Sequence, residues 1–324
     1  MILQAKTKPQ AATIIIEQSR MLDLLILGGG PAGLTAAIYA LRAGLKTALV
    51  ERMVLGGLAL TTYQIDNFPG FPEGVSGADL GKRLEDQARK FGLKTVWGSA
   101  NQIIRKDKYW EVEVDGKPIA ARSIIIATGT EAAKLGVPGE ENLRGKGVSY
   151  CAICDGAFYK DKNIIVVGGG NAAVEEALFL TRFGRQVTIV HRRDSLRADQ
   201  VLAAKALAEP KIYFLWHSTV EEINGQNKVE SVTIKDLASH KKLKVPADGV
   251  FIYIGSKPNT EIVKELVKLD AQGYVITDPD LKTSVDGIFA AGDVRGKVLR
   301  QVVTAAADGA IAADSARRFL EVDK

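Results

Sequence analysis

Hydrophobic positions along the chain gather into short, nearly continuous runs, and the strongest runs stop at glycine. Leu22-Asp23-Leu24-Leu25-Ile26-Leu27 reads as a buried strand. Gly28-Gly29-Gly30-Pro31-Ala32-Gly33 follows at once, and a helical pattern then runs through Leu41. A second apolar run, Thr47-Ala48-Leu49-Val50, closes in Glu51. The same order returns later. Asn163-Ile164-Ile165-Val166-Val167 enters Gly168-Gly169-Gly170-Asn171-Ala172-Ala173, a helical stretch covers residues 174–180, and Gln186-Val187-Thr188-Ile189-Val190 closes in His191-Arg192-Arg193. Residues 109–114 alternate like a hairpin strand. Two more buried runs end in polar or small residues: Ser123-Ile124-Ile125-Ile126 in Ala127-Thr128-Gly129, and Gly287-Ile288-Phe289-Ala290-Ala291 in Gly292-Asp293.

Strand, glycine turn and helix, met twice, predict an α/β chain of two dinucleotide-binding, Rossmann-like three-layer domains. In such a turn Gly28 permits the tight bend, Gly30 lets backbone amides approach a pyrophosphate, and Gly33 lets helix and strand pack closely, while the helix N-terminus favours an anion. The second turn has Ala173 at the third position, where only close packing is asked. The two following strands end in opposite charge. Glu51 suits a ribose hydroxyl, so the first site prefers a ribose without a 2′-phosphate. The cluster Arg192, Arg193 and Arg197 suits a 2′-phosphate, so the second site should take NADPH over NADH. A solvated helix start is the plainer alternative for these arginines. Ligands in open parallel sheets lie beyond the carboxyl ends of strands, which puts Asp293 at the first site. The first domain is therefore expected to be discontinuous: an extension over residues 1–21, the first nucleotide domain over 22–132 and 255–324, and the second inserted over 133–254.

Length and composition bound the rest. A chain of 324 residues, 46% hydrophobic and 25% charged, has the size and balance of two soluble globular domains. No stretch of about 20 apolar residues is present, which argues against a membrane span. The net charge of +5 is spread along the chain without a dense Lys/Arg block, which argues against nucleic acid. Residues up to Arg20 lack a signal-peptide layout, Met21 is a candidate start, and a transit peptide is a weaker alternative.

The chain has two cysteines, Cys151 and Cys154, three apart and followed by Asp155. A disulfide framework is excluded by the count. This spacing lets both sulfurs close a small ring and lowers thiolate pKa values, which favours redox chemistry. Zinc would need a second pair or suitably spaced histidines, and His191, His217 and His240 are scattered; two inert cysteines are the other alternative. Asp155 is either a cap or turn residue, or a group that moves protons as the thiolates form.

Several motifs in order, Gly28 to Gly33, Asp66-Asn67-Phe68-Pro69-Gly70, Cys151 to Gly156, Gly168 to Ala177, His191 to Ala198, and Gly292-Asp293-Val294 with Arg300-Gln301, resemble the low-molecular-weight thioredoxin reductases, from about residue 22 to the C-terminus. The resemblance implies a cytoplasmic homodimeric flavoprotein that passes electrons from NADPH through FAD to the cysteine pair and on to thioredoxin. It implies that Cys154 faces the flavin, that Cys151 attacks the thioredoxin disulfide, and that Asp155 donates and accepts protons. Gly28, Gly30, Pro31, Ala32, Gly33, Glu51, Gly57, Asn67, Ala127, Thr128, Gly129, Gly292, Asp293, Arg300 and Gln301 would serve FAD. Gly168, Gly170, Asn171, Ala172, Glu175, His191, Arg192, Arg193 and Arg197 would serve NADPH. Two positions depart from the family: Leu58 stands where a glutamine is usual after Gly56-Gly57, and Ala307 where a glycine is usual.

Nicotinamide site and cysteine pair ride on one domain, so both cannot meet the flavin at once. Rotation of residues 133–254 about linkers near Ala132-Ala133 and Ile254-Gly255 is the expected solution. The alternatives are reduction of another dithiol carrier of glutaredoxin type, a ferredoxin-dependent variant, and a nucleotide-sensing scaffold without turnover.

Overall fold

The computed structural model describes residues 21–62 and 64–322, so the expected extension through residue 20 lies outside the described residues. The described chain forms two compact units, residues 21–60, 64–129 and 258–322 in the first and residues 61–62 and 130–257 in the second.

The first unit opens with β1 (Leu22–Leu27), the glycine turn, and α1 (Pro31–Arg42), whose Pro31 occupies the first turn where a missing N–H costs nothing. Then come β2 (Thr47–Glu51), α2 (Gly77–Lys90), β3 (Lys94–Trp97), and a meander of β4 (Ala100–Arg105), β5 (Trp110–Val114) and β6 (Lys117–Ile126). Strands β3, β2, β1 and β6 run parallel in that order. The first half of β6 pairs antiparallel with β5 and its second half parallel with β1, which is why it is longer than its apolar run. Successive side chains point to opposite faces. Leu24 and Ile26 pack under α1 and the last helix, whereas Leu25 and Leu27 pack on the other face with Trp110, Val112, Val263 and Val275.

The second unit begins with β7 (Thr130–Ala132) and β8 (Val148–Ser149), then α3 (Ala152–Asp155), β9 (Asn163–Gly168), α4 (Asn171–Leu180), β10 (Gln186–Val190), α5 (Gln200–Ala208) and β11 (Ile212–Leu215). An antiparallel sheet of β12 (Ser218–Asn224), β13 (Ser231–Asp236) and β14 (Lys242–Pro246) precedes β15 (Gly249–Tyr253) and β16 (Ser256–Pro258). The parallel sheet has the order β11-β10-β9-β15-β8. Ile164, Val166 and Phe251 face α4 and α5; Ile165, Val167 and Ile252 face Val220, Val232 and Ile234 of the antiparallel sheet. Helices, parallel sheet and antiparallel sheet make three layers. β7 pairs with β16 as a two-stranded ribbon at the ends of this unit.

The chain returns to the first unit with β17 (Ile288–Ala290), which pairs parallel with β6, and α6 (Val302–Val322), which packs along α1. Among the described residues no helix is long and apolar enough to cross a membrane.

Candidate active site: two glycine turns and a disulfide

At the first turn the backbone is closed against itself. A Cβ on Gly28 would collide with the Ala127 carbonyl, and one on Gly33 with the Gly28 carbonyl. At Gly30 the nearest atom to such a Cβ would be Gly57 Cα, 3.9 Å away, so the amide edge of the turn is open where a pyrophosphate would approach. Glu51 is half-buried and fixes this turn: its carboxylate accepts from Gly29 N at 2.8 Å and Met53 N at 3.0 Å. Each of its oxygens retains a further lone pair that a ribose hydroxyl could use.

Other expected residues of the first unit come together over long sequence distances. Asn67 Nδ2 donates to Gln301 Oε1 at 3.2 Å. Thr128 Oγ1 donates to the Asn259 carbonyl at 2.7 Å, Asn259 Nδ2 returns to the Thr128 carbonyl at 3.0 Å, and Asn259 N donates to Gly129 at 3.0 Å. Asp293 Oδ1 and Arg300 Nε are buried atoms that make no hydrogen bond among the described residues. Asp293 Oδ1 lies 3.2 Å from Lys297 Nζ, while the Arg300 guanidinium stacks 3.9 Å over the Tyr274 ring. Open turn and orphaned polar atoms fit a dinucleotide such as FAD. The departures sit at the surface: Leu58 and Ala307 are both exposed.

Behind Asp293 lies a buried charge network that sequence reasoning missed. Asp308 accepts from Arg295 Nε at 2.9 Å and Nη2 at 3.0 Å, from Lys297 Nζ at 3.2 Å and from Gly292 N at 3.0 Å. The side chains of Asp308 and Lys297 are each 7% exposed. The available signal was one acid at a helix position otherwise filled by small residues, Ala305-Ala306-Ala307-Asp308-Gly309.

The second turn repeats the first. A Cβ on Gly168 would strike the Tyr253 carbonyl and one on Gly169 the His191 ring, but at Gly170 the nearest atom is Arg197 Nη2 at 4.0 Å. Arg197 N also donates to the Gly169 carbonyl at 2.6 Å, tying the arginine loop to the turn. Arg192, Arg193 and Arg197 are exposed, and none makes an ion pair among the described residues. His191 is buried, and its burial, followed by the charges of Arg197, Arg193 and Arg192, holds the imidazole below its usual range and neutral at pH 7. Three free guanidiniums beside an open glycine turn fit the extra phosphate of NADPH. Asn171 is clamped to Asp199, donating from Nδ2 at 2.8 Å and accepting Asp199 N at 2.9 Å. Ala172 and Glu175 are exposed on the first turns of α4.

Cys151 and Cys154 form a disulfide, with Cα atoms 5.4 Å apart across α3. Cys151 caps this helix, its Sγ accepting from Cys154 N at 3.2 Å, and Ala152 N donates to Tyr253 Oη at 2.8 Å. Cys154 is exposed, while Cys151 and Asp155 are half-buried. Among the described residues no group of three or more His, Cys, Asp or Glu side chains is placed to hold a metal ion.

Known proteins share this arrangement over nearly the whole chain. Residues 22–309 match the pyridine nucleotide-disulphide oxidoreductase family. Thioredoxin reductase of Bacillus subtilis is 46% identical over 307 residues, 94% of this chain and 97% of the relative. The crystal structure of Lactococcus lactis thioredoxin reductase (FR conformation) is 43% identical over 93% of this chain and 99% of that one, with a TM-score of 0.91. The thioredoxin reductase structure from Streptococcus pyogenes MGAS5005 is 45% identical at the same coverage, with a TM-score of 0.63. The matched span takes in both glycine turns, the arginine loop and the disulfide, and the chain accordingly belongs to the pyridine nucleotide-disulphide oxidoreductases, within them to the thioredoxin reductases.

Proposed function

We propose that this protein reduces the disulfide of thioredoxin with electrons from NADPH, as a cytoplasmic homodimer. The observation that carries the reading is the redox-capable disulfide on the same unit as a glycine turn to which Arg197 ties a loop of three exposed arginines. Bound FAD and NADPH supply the two-electron hydride chemistry that delivers an electron pair to the disulfide. Gly28, Gly30, Pro31, Ala32, Gly33, Glu51, Gly57, Asn67, Ala127, Thr128, Gly129, Gly292, Asp293, Arg300 and Gln301 would hold FAD. Gly168, Gly170, Asn171, Ala172, Glu175, His191 and the three arginines would hold NADPH.

Opening the Cys151–Cys154 bond consumes two electrons and one proton and yields one thiolate and one thiol. Asp155, in the helix that carries the pair, is assigned the proton. The amide of Cys154 favours a thiolate at Cys151, which attacks the thioredoxin disulfide and releases one thioredoxin thiolate. Cys154 then attacks Cys151 Sγ, restoring the ring and freeing the second thioredoxin thiol.

The proposal includes rotation of residues 133–254 against the rest of the chain. It is supported by the spread of TM-scores among relatives of nearly equal identity, which sequence divergence does not explain. A covalent tether between the two units should stop turnover while leaving one half-reaction intact; full-rate cycling of the tethered protein would refute the rotation.

The arginine assignment has its own test. Replacing Arg192 and Arg193 by alanine should raise KM for NADPH by about 10- to 100-fold, the worth of one or two charge-assisted phosphate contacts, and leave KM for NADH within about twofold. Equal losses for both coenzymes would show that the arginines do not read the 2′-phosphate.

A further inference from the structure

Helix α4, which packs on the cysteine helix, carries a carboxyl group that the steps above do not use. Glu176 on α4 is 8% exposed, and its Oε2 is buried with no hydrogen-bond partner among the described residues. Its neighbour Glu175 is exposed, because one step along a helix turns the side chain by about 100°. Helix α4 packs on α3, α5, β9, β10 and β15. Strands β9 and β10 carry no titratable side chain, and α5 carries only the exposed Lys205. Of the titratable groups on these elements, Tyr253 from β15 feels the charge of Glu176 and, more weakly, that of Asp155 from α3, and Glu175 acts on Glu176 from its own helix.

Tyr253 connects these groups. Its hydroxyl oxygen accepts the Ala152 amide at 2.8 Å, at the first residue of the helix that Cys151 caps. Burial, followed by the charge of Glu176, holds the phenol protonated far above its usual range, with Asp155 acting in the same direction. The Tyr253 proton is thus retained, and Ala152 N leaves it free to point elsewhere. Burial, with Glu175 adding, pushes the Glu176 carboxyl up to about 8. The fold holds this group neutral at pH 7. Because the folded-state value lies above the ordinary 4.5, the stability contributed by protonated Glu176 is complete below about pH 4.5 and is lost as pH rises through about 8.

We propose that Glu176 is a positioning residue for the cysteine pair, holding a proton on α4 and coupling its uptake, through Tyr253, to opening of the Cys151–Cys154 disulfide. Two electrons and one proton convert the disulfide to a thiolate and a thiol. When Glu176 is already ionised, the new thiolate lies near a second negative charge, and reduction draws a further proton onto the carboxylate. Without that proton the disulfide is favoured. The inference rests on the thioredoxin-reductase reading for the identity of the electron source, but its test does not use that source.

The test is the equilibrium of the pair with dithiothreitol between pH 6 and 10, on the flavin-loaded protein, acid-quenched, alkylated and read by mass. Comparison with Glu176→Gln cancels the protons of the reagent and keeps the shape of the side chain. Between pH 8 and 10 the wild-type constant for reduction should fall relative to Glu176→Gln by on the order of tenfold, with the two curves parallel below pH 7. Tyr253→Phe, which removes the hydroxyl and keeps the ring, should reduce that difference to under about twofold. Parallel curves over the whole range, or a full-sized step in Tyr253→Phe, would overturn the proposal. Thioredoxin turnover by the wild type at pH 7 is measured beside it; its absence would sink the functional reading and leave the pH step still measurable.

Discussion

Replacing Cys154 by serine is expected to abolish turnover of thioredoxin, by on the order of 10³-fold or more, and to trap thioredoxin covalently on Cys151. Such losses follow when one member of a pair acting as a unit is removed. The physical ground for choosing Cys151 as the nucleophile is the amide of residue 154, which donates to Cys151 Sγ at 3.2 Å at the start of α3. A backbone donor favours the thiolate over the thiol, and the thiolate is the attacking species. The serine variant keeps that amide and loses the group that would resolve the mixed disulfide. After reduction and mixing with oxidised thioredoxin, mass spectrometry should find the chain plus one thioredoxin. Cys151→Ser should be equally inactive and form no such adduct. Exposure ranks the sulfurs the other way, since Cys154 is the more exposed, so an adduct confined to Cys151→Ser would show that access outweighs the hydrogen bond.

Asp308→Ala should destabilise the first unit by about 3–5 kcal/mol, the scale on which removing one partner of a buried ion pair acts. Asp308 receives four hydrogen bonds, from Arg295 twice, from Lys297 and from Gly292 N. Without it, Lys297 keeps only the carboxylate of Asp293, whose side chain is 30% exposed, and Arg295 keeps only the neutral acceptors Thr277 Oγ1 and the Gly296 carbonyl among the described residues. The Gly292 amide is left unpaired at the end of β17, beside the open turn assigned to FAD. A lowered unfolding midpoint and loss of flavin on gel filtration are both expected. Asp308→Asn, which keeps the shape and can still accept hydrogen bonds, should fall between alanine and wild type. An alanine variant that unfolds at the wild-type midpoint would show that water or relaxation replaces the carboxylate.

Local patterns made the frame of this molecule legible. Continuous apolar runs before glycine gave β1 and β9 away, because a strand buried on both faces admits few polar residues. The acid at the end of β2 and the arginines after β10 could be placed beside the glycine turns because each ends or follows the strand that pairs parallel with the one entering the turn. What escaped was set by contacts between distant segments. Asn67 and Gln301 meet across 234 residues, and Arg295, Lys297 and Asp308 form one network only because α6 returns beside the end of β17. The buried strand foreseen over residues 287–291 is shorter, Ile288–Ala290, because Gly292 turns the chain at φ +79°. Glu175 and Glu176 look alike in sequence, and only the phase of α4 against the sheet decides which is buried.

Anaerobic addition of NADPH, and separately of NADH, to the flavin-loaded protein, followed by oxidised thioredoxin, tests the central claim most directly. NADPH should bleach the flavin rapidly and NADH slowly, and thioredoxin should restore the colour only when Cys151 and Cys154 are both present. A flavin that stays oxidised with NADPH, in a protein that still passes electrons to thioredoxin after chemical reduction, would contradict the account and make a ferredoxin-like protein the electron donor.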